Sequence, residues 1–204
     1  IRNRTFVPFV TSDDPAIMTN RWYMEDSRTI GRSPGLHSSG AHILLPLSSK
    51  VLCLAYDGDV YSVPNVGGWV EVRRARDIQA FNQHQYLNCR ANIYFRDWAH
   101  NQQIEIDFRS VGPLRPKSRH RFHYAVFDGK KNGADVFRVV DRNAKVENEE
   151  GLIHTEILSA KPISWPSQID WRRKGAVYTK GNGLGYIRKG RINDSGSHGF
   201  RRES

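Results

Sequence analysis

Two apolar runs separated by three polar residues constrain this chain most. Ile43-Leu44-Leu45-Pro46-Leu47 stops at Ser48-Ser49-Lys50, and Val51-Leu52-Cys53-Leu54-Ala55-Tyr56 returns. β-prone runs joined by so short a turn pair as a hairpin, so the chain must build an antiparallel sheet. Asp57-Gly58-Asp59 ends the second run as a turn, because the twelve-position ligand pattern of a calcium loop is missing.

A third apolar run opens the chain. Phe6-Val7-Pro8-Phe9-Val10-Thr11 reads as a strand, with Phe6 and Val10 on one face and Val7, Phe9 and Thr11 on the other. Pro8 cannot donate to a ladder, so the strand pairs fully on one side only. It delivers Ser12 and Asp13 to one edge of the fold. The bland reading of Ser12-Asp13-Asp14-Pro15 is a turn or helix cap. The sharper reading is a carboxylate at a strand end, aimed into a cleft. Residues 25–41 follow as a long loop, expected to be mobile or a flap over that edge.

Residues 72–91 are the one convincing helix, with Ile78, Phe81, Gln85 and Cys89 in a stripe. Asn82, Tyr86 and Arg90 border that stripe, and His84 falls on another face, expected to be solvated. Trp98 is expected to pack. Ile104, Ile106 and Phe108 alternate with Glu105, Asp107 and Arg109, as in a half-exposed strand. Glu105 and Asp107 would share its outer face, where solvation is commoner than metal binding. His120 and His123 fall on opposite faces of a strand and cannot easily share a metal, so no metal set is read. Phe122–Phe127 and Val136–Val140 form a hairpin, and residues 152–158 a further strand or turn. Trp165-Pro166, Ile169 and Trp171 anchor a segment across the core. Gly181-Asn182-Gly183 joins 176–179 to 186–188 as a hairpin turn or, less simply, a phosphate-cradling nest. The expected fold class is α+β, a mainly antiparallel sheet with one principal helix packed on it.

Phe9-Val10-Thr11-Ser12-Asp13-Asp14-Pro15, then Leu45-Pro46-Leu47-Ser48, then Asp77-Ile78, Phe81-Asn82 and Cys89-Arg90-Ala91 occur in this order. In this the chain resembles the family called domain of unknown function 4238, over roughly residues 5–190. Asp14 stands where that family often has Asn, and Ser49 where it often has a second Pro. The resemblance implies a helical upstream half that is absent from this sequence, and it brings no established activity. The chain is therefore expected to be a fragment of a longer protein, with a single domain over 1–190 and a disordered basic tail over 191–204.

Charge suggests a partner. The formal net charge is +10, and the stretch from Trp171 to Ser204 holds nine Lys or Arg against two acids. That tail carries +7 of the total. Arg172, Arg173, Lys174, Lys180, Arg188, Lys189 and Arg191 are candidate phosphate contacts, with Trp171, Tyr178 or Tyr186 stacking on bases. The only cysteines, Cys53 and Cys89, sit in apolar patterns and read as buried thiols. No disulfide framework, signal peptide or membrane span is read, so the expected setting is the cytoplasm.

Three functions compete. One is an enzyme acting on a phosphate ester or nucleic acid, with Asp13, Asn82 and Ser12 as candidate catalytic residues. Asp13 and Asn82 would then meet in space. No nucleophile–base set is complete, and no cofactor is indicated. The second is a non-catalytic nucleic-acid-binding module working through the basic C-terminal region. The third is a structural half that packs against a missing N-terminal region.

Overall fold

The structure is a computed structural model and describes residues 1–25, 35–118, 120–141, 151–157, 160–172, 176–178, 185–188 and 200–203. Its elements make an α+β fold dominated by antiparallel pairing. The chain divides into two compact units. One holds Ile1–Ile30, Pro34–Arg115 and Ala160–Ser204, the other Gly31–Ser33 and Pro116–Ser159. No helix among the described residues is long and apolar enough to cross a membrane.

The larger unit is built on the expected hairpin. Ala41–Ser48 and Val51–Tyr56 pair antiparallel, and the register shifts between Pro46 and Ser48, where proline cannot donate. Ile17–Asn20 adds to one side. Arg2–Asn3 adds to the other, and Glu71–Val72 pairs parallel to it as the outer strand. The helix Ala75–Asn88 lays Ile78 and Phe81, with Cys89 just beyond its end, into the interior, each at most 1% exposed. Phe9, Leu44, Leu52, Val72, Ile169 and Trp171 complete the main core. Pro166, Ile169 and Trp171 are buried, as expected of an anchoring segment. Its tether is Asp77, whose carboxylate accepts from the Ser167 amide and hydroxyl and from Gln168 Nε2.

Several expectations are corrected here. The stretch 101–109 is helical: Asn101–Val111 is an α-helix. Ile104, Phe108 and Val111 recur at spacings of four and three and pack beside Tyr86, while Ile106 is exposed. Positions 104 and 108 suit either period, and Val111 decides for the helix. Glu105 then pairs with Arg109, and Asp107 accepts from Gln79 and Gln103, so the two acids do not share a face. His84 is 3% exposed rather than solvated, and Trp98, though it stacks on Phe95, is 76% exposed rather than buried. Cys53 is exposed, although Cys89 is buried. Finally, Val7, Phe9 and Val10 are buried but Phe6 is not, and only Thr11–Ser12 forms a ladder, with Ile93–Tyr94.

The smaller unit is a three-stranded antiparallel sheet. His120–Lys131 lies in the middle, flanked by Ala134–Val140 and Gly151–Ile157. Its hairpin closes on Asn132-Gly133, both at positive φ, the two-residue turn that matches strand twist. In the larger unit, Ala176–Tyr178 and Gly185–Arg188 pair as expected, and Phe200–Glu203 adds a third strand within the stretch expected to be disordered. The possible nest at 181–183, most of the 25–41 loop and residues 191–199 lie outside the described residues.

Candidate functional site

The segment from Pro8 to Pro15 is sewn to the principal helix by three carboxamides at spacings of three. Asn82 Oδ1 accepts from the Val10 amide at 3.1 Å, and its Nδ2 donates to the Pro8 carbonyl at 2.9 Å. A parallel strand would offer the same donor and acceptor to those two groups. One side chain thus replaces the ladder that Pro8 interrupts. Gln85 accepts from the Ser12 hydroxyl at 2.7 Å and donates to the Pro15 carbonyl at 2.8 Å. Asn88 donates to the Asp14 carbonyl at 3.1 Å.

Asp13 closes the seam from the other direction. Its carboxylate accepts from the backbone amides of Arg90 and Ala91, both at 2.8 Å, and of Asn92 at 3.3 Å. The Arg90 amide does most to hold the Asp13 carboxyl below its ordinary range, against a smaller opposing effect of desolvation. An NMR titration of the Asp13 carboxyl carbon is expected to give a midpoint below that of an unperturbed aspartate. A midpoint at or above the ordinary value contradicts these bonds.

Ser12, Asp13 and Asn82 therefore share one seam, but Asp13 and Asn82 do not bond to each other. Asn82 serves Pro8 and Val10, while Asp13 serves the residues after the helix. Ser12 Oγ bonds Gln85 and the Asp14 carbonyl, and no His, Lys or carboxylate bonds it among the described residues. A carboxamide does not activate a hydroxyl by taking its proton, so the seam as built holds backbone.

Among the basic C-terminal candidates, Arg172 is exposed, bonded to the Gly58 carbonyl and 3.5 Å from Asp59. Trp171 is 5% exposed and packs against Tyr61, out of reach of a stacking base. Arg188 lies in the strand Gly185–Arg188. Arg173, Lys174, Lys180, Lys189 and Arg191 lie outside the described residues.

A second basic cluster arises only through strand pairing. Arg2 stands opposite Glu71, and Asn3 opposite buried Val72. Alternation then sends Arg2, Arg4, Glu71 and Arg73 to the outer face. Arg4 and Arg73 both bond Glu71, at 2.7 and 2.9 Å, and the Arg4 bond leads in lowering the Glu71 pKa. Arg74 and Arg76 are exposed at the start of the helix. Trp69 is 40% exposed, with the Arg2 guanidinium 3.8 Å from its ring centroid. The hairpin Val66–Trp69 presents that indole through Gly67 and Gly68, both at positive φ. Five arginines thus share a sheet edge and the adjoining helix start with one acid and one part-exposed indole.

Residues 1–98 match the family described as "Protein of unknown function (DUF4238)". The chain resembles that family over its N-terminal 98 residues. The match takes in the whole carboxamide seam and the basic edge. It stops well short of residue 190, the extent that the motif order implied. No curated protein and no solved structure matches the chain.

Buried histidines form a further polar group that the sequence reading missed. His42 lies 4.2 Å from Tyr61 and 5.7 Å from Trp165, between ring centroids, and His84 lies 4.9 Å from Trp165. The Nε2 atoms of both have no hydrogen-bond partner among the described residues. Burial pushes His42 down to about 4 and His84 down to about 3, so both are neutral near pH 7. His42 was visible as the buried-face neighbour, two residues away, of Leu44.

Proposed function

We propose that this protein is a nucleic-acid-binding module that holds single strands by their phosphates. The observation that carries the reading is the basic edge formed by Arg2, Arg4, Arg73, Arg74 and Arg76 with Trp69. Lysine and arginine contacts release counterions from a polyanion, and an exposed indole adds a stacking face that tolerates any base. The basic C-terminal residues, Arg172, Arg173, Lys174, Lys180, Arg188, Lys189 and Arg191, add to the chain's positive charge. The enzymatic reading has less support, because Asp13 and Asn82 are engaged in holding backbone and the Ser12 hydroxyl is bonded to the Gln85 carboxamide. Two free cysteines suit a reducing, cytoplasmic setting.

Fluorescence anisotropy with a labelled oligothymidylate tests this. About four phosphate contacts on a single strand predict a log–log salt slope near about −2.8. Charge reversal by Arg73→Glu with Arg74→Glu is expected to weaken binding and flatten that slope. No binding at low salt, or a slope near zero, refutes the proposal.

A further inference from the structure

Beside the seam lies a small groove of about 200 Å³. Its walls include Leu47 from the hairpin and Tyr94 and Phe95 from the segment after the principal helix, and Thr11 and Ser49 add hydroxyls. Arg96 also lines it, is exposed, and has no ion pair among the described residues. Trp98 stacks on Phe95 with ring centroids 5.8 Å apart and planes 21° apart. Apolar surface at the groove stays open to solvent: of its lining residues Tyr94 is 53% exposed and Leu47 62%, and Trp98, which stacks on the lining residue Phe95, is 76% exposed.

Two large apolar side chains left in water in one concavity, with an exposed indole stacked behind its Phe95 wall, make room for an occupant. Pockets for drug-sized molecules start at about 300 Å³, so this one takes a fragment, such as a single planar ring system. A planar ring suits Tyr94 and the Phe95–Trp98 stack. Arg96 supplies a cation for a phosphate joined to that ring. The chain's charge of +10 also favours an anionic ligand over a neutral one.

We infer that this groove seats one unstacked base of a single-stranded nucleic acid, with Arg96 on the adjoining phosphate. The assignment rests on the nucleic-acid reading and adds a second contact site, distinct in its residues from the basic edge.

The test compares a short oligothymidylate with an abasic oligomer of the same length, against the unaltered chain and the variants Trp98→Ala, Tyr94→Ala and Tyr94→Phe. Trp98 is exposed enough for its truncation to leave the fold intact, and Tyr94→Phe keeps the ring should Tyr94→Ala disturb the strand pair. Base stacking predicts that Trp98→Ala and Tyr94→Ala each weaken oligothymidylate binding about tenfold or more, that Tyr94→Phe binds normally, and that the abasic oligomer binds more weakly and is insensitive to all three. Equal affinity for the abasic oligomer, or no effect of Trp98→Ala, overturns the groove assignment while leaving the basic edge standing. Absence of all binding at low salt overturns both.

Discussion

Asn82→Ala is expected to lower the unfolding free energy by about 4 kcal/mol, since two buried backbone groups each lose their partner at about 1–3 kcal/mol. Val10 is 1% exposed and Asn82 itself 1%, so water does not readily replace the lost amide. A loss of that size is a large share of the roughly 5–15 kcal/mol that holds a domain folded. Arg90→Ala is the control. Its side chain is 73% exposed and only 3.8 Å from Asp14 at best, so its removal should stay within about 0.5 kcal/mol. Urea unfolding of both variants decides the matter. An Asn82→Ala chain as stable as its parent would mean that the carboxamide is not what stands in for the missing ladder.

The second large effect is a loss of stability in mild acid. His42 and His84 are buried and neutral in the folded chain, with pKa values pushed by burial from 6.5 to about 4 and about 3. The groups facing His42 are the Thr19 and Gly40 backbone, Arg21 and Asp57, and His84 has His42 near it. Arg21 opposes a charge on His42, while Asp57 and the two backbone groups favour one. Below pH 6.5 the unfolded chain takes up protons that the folded chain refuses. Stability is therefore complete above 6.5 and falls as pH drops toward the folded pKa values. The slope is about 1.4 kcal/mol per pH unit for each ring. The window from 6.5 to about 5 lies above the range of ordinary carboxylates, which separates the histidines from general acid denaturation. Urea midpoints measured across that window should fall steadily, and His84→Phe should remove part of the slope. A flat profile would show that both rings reach solvent or a proton acceptor, and about half the slope that one of them does.

Much of the fold was legible in the sequence, for reasons that particular residues make plain. The hairpin at 41–56 is local, and its turn falls within three consecutive polar residues, so no distant partner was needed to read it. The principal helix declared itself because Ile78, Phe81 and Cys89 keep one period. The second helix did not, because Ile104, Ile106 and Phe108 also fit alternation and only Val111 breaks the tie. Pro8 was a fair warning that the opening run lacks a full ladder. What satisfies it is a side chain seventy-odd positions away, and no local pattern encodes that distance.

The seam was legible in the sequence as a meeting of residues, not as a set of bonds. Ser12, Asp13 and Asn82 do belong to one seam, and the spacing of Asn82, Gln85 and Asn88 was its overlooked signal. Gln85 was read with the apolar stripe because it shares that face. The basic edge was hidden by bookkeeping along the chain. Counting charge by segment puts +7 after residue 170, whereas Arg2 and Arg4 join Arg73 only when Arg2–Asn3 pairs with Glu71–Val72. The buried histidines were obscured because histidine carries no single preference for surface or core.

Amide chemical-shift mapping during titration with an oligothymidylate tests the central claim most directly. The account predicts saturable shifts at Arg2, Arg4, Trp69, Arg73 and Arg74, with Val10, Ser12 and the backbone of Asn82 nearly unmoved. Shifts concentrated at Ser12, Asp13 and Asn82, with the basic edge silent, would contradict it and return the seam to the role of a ligand site.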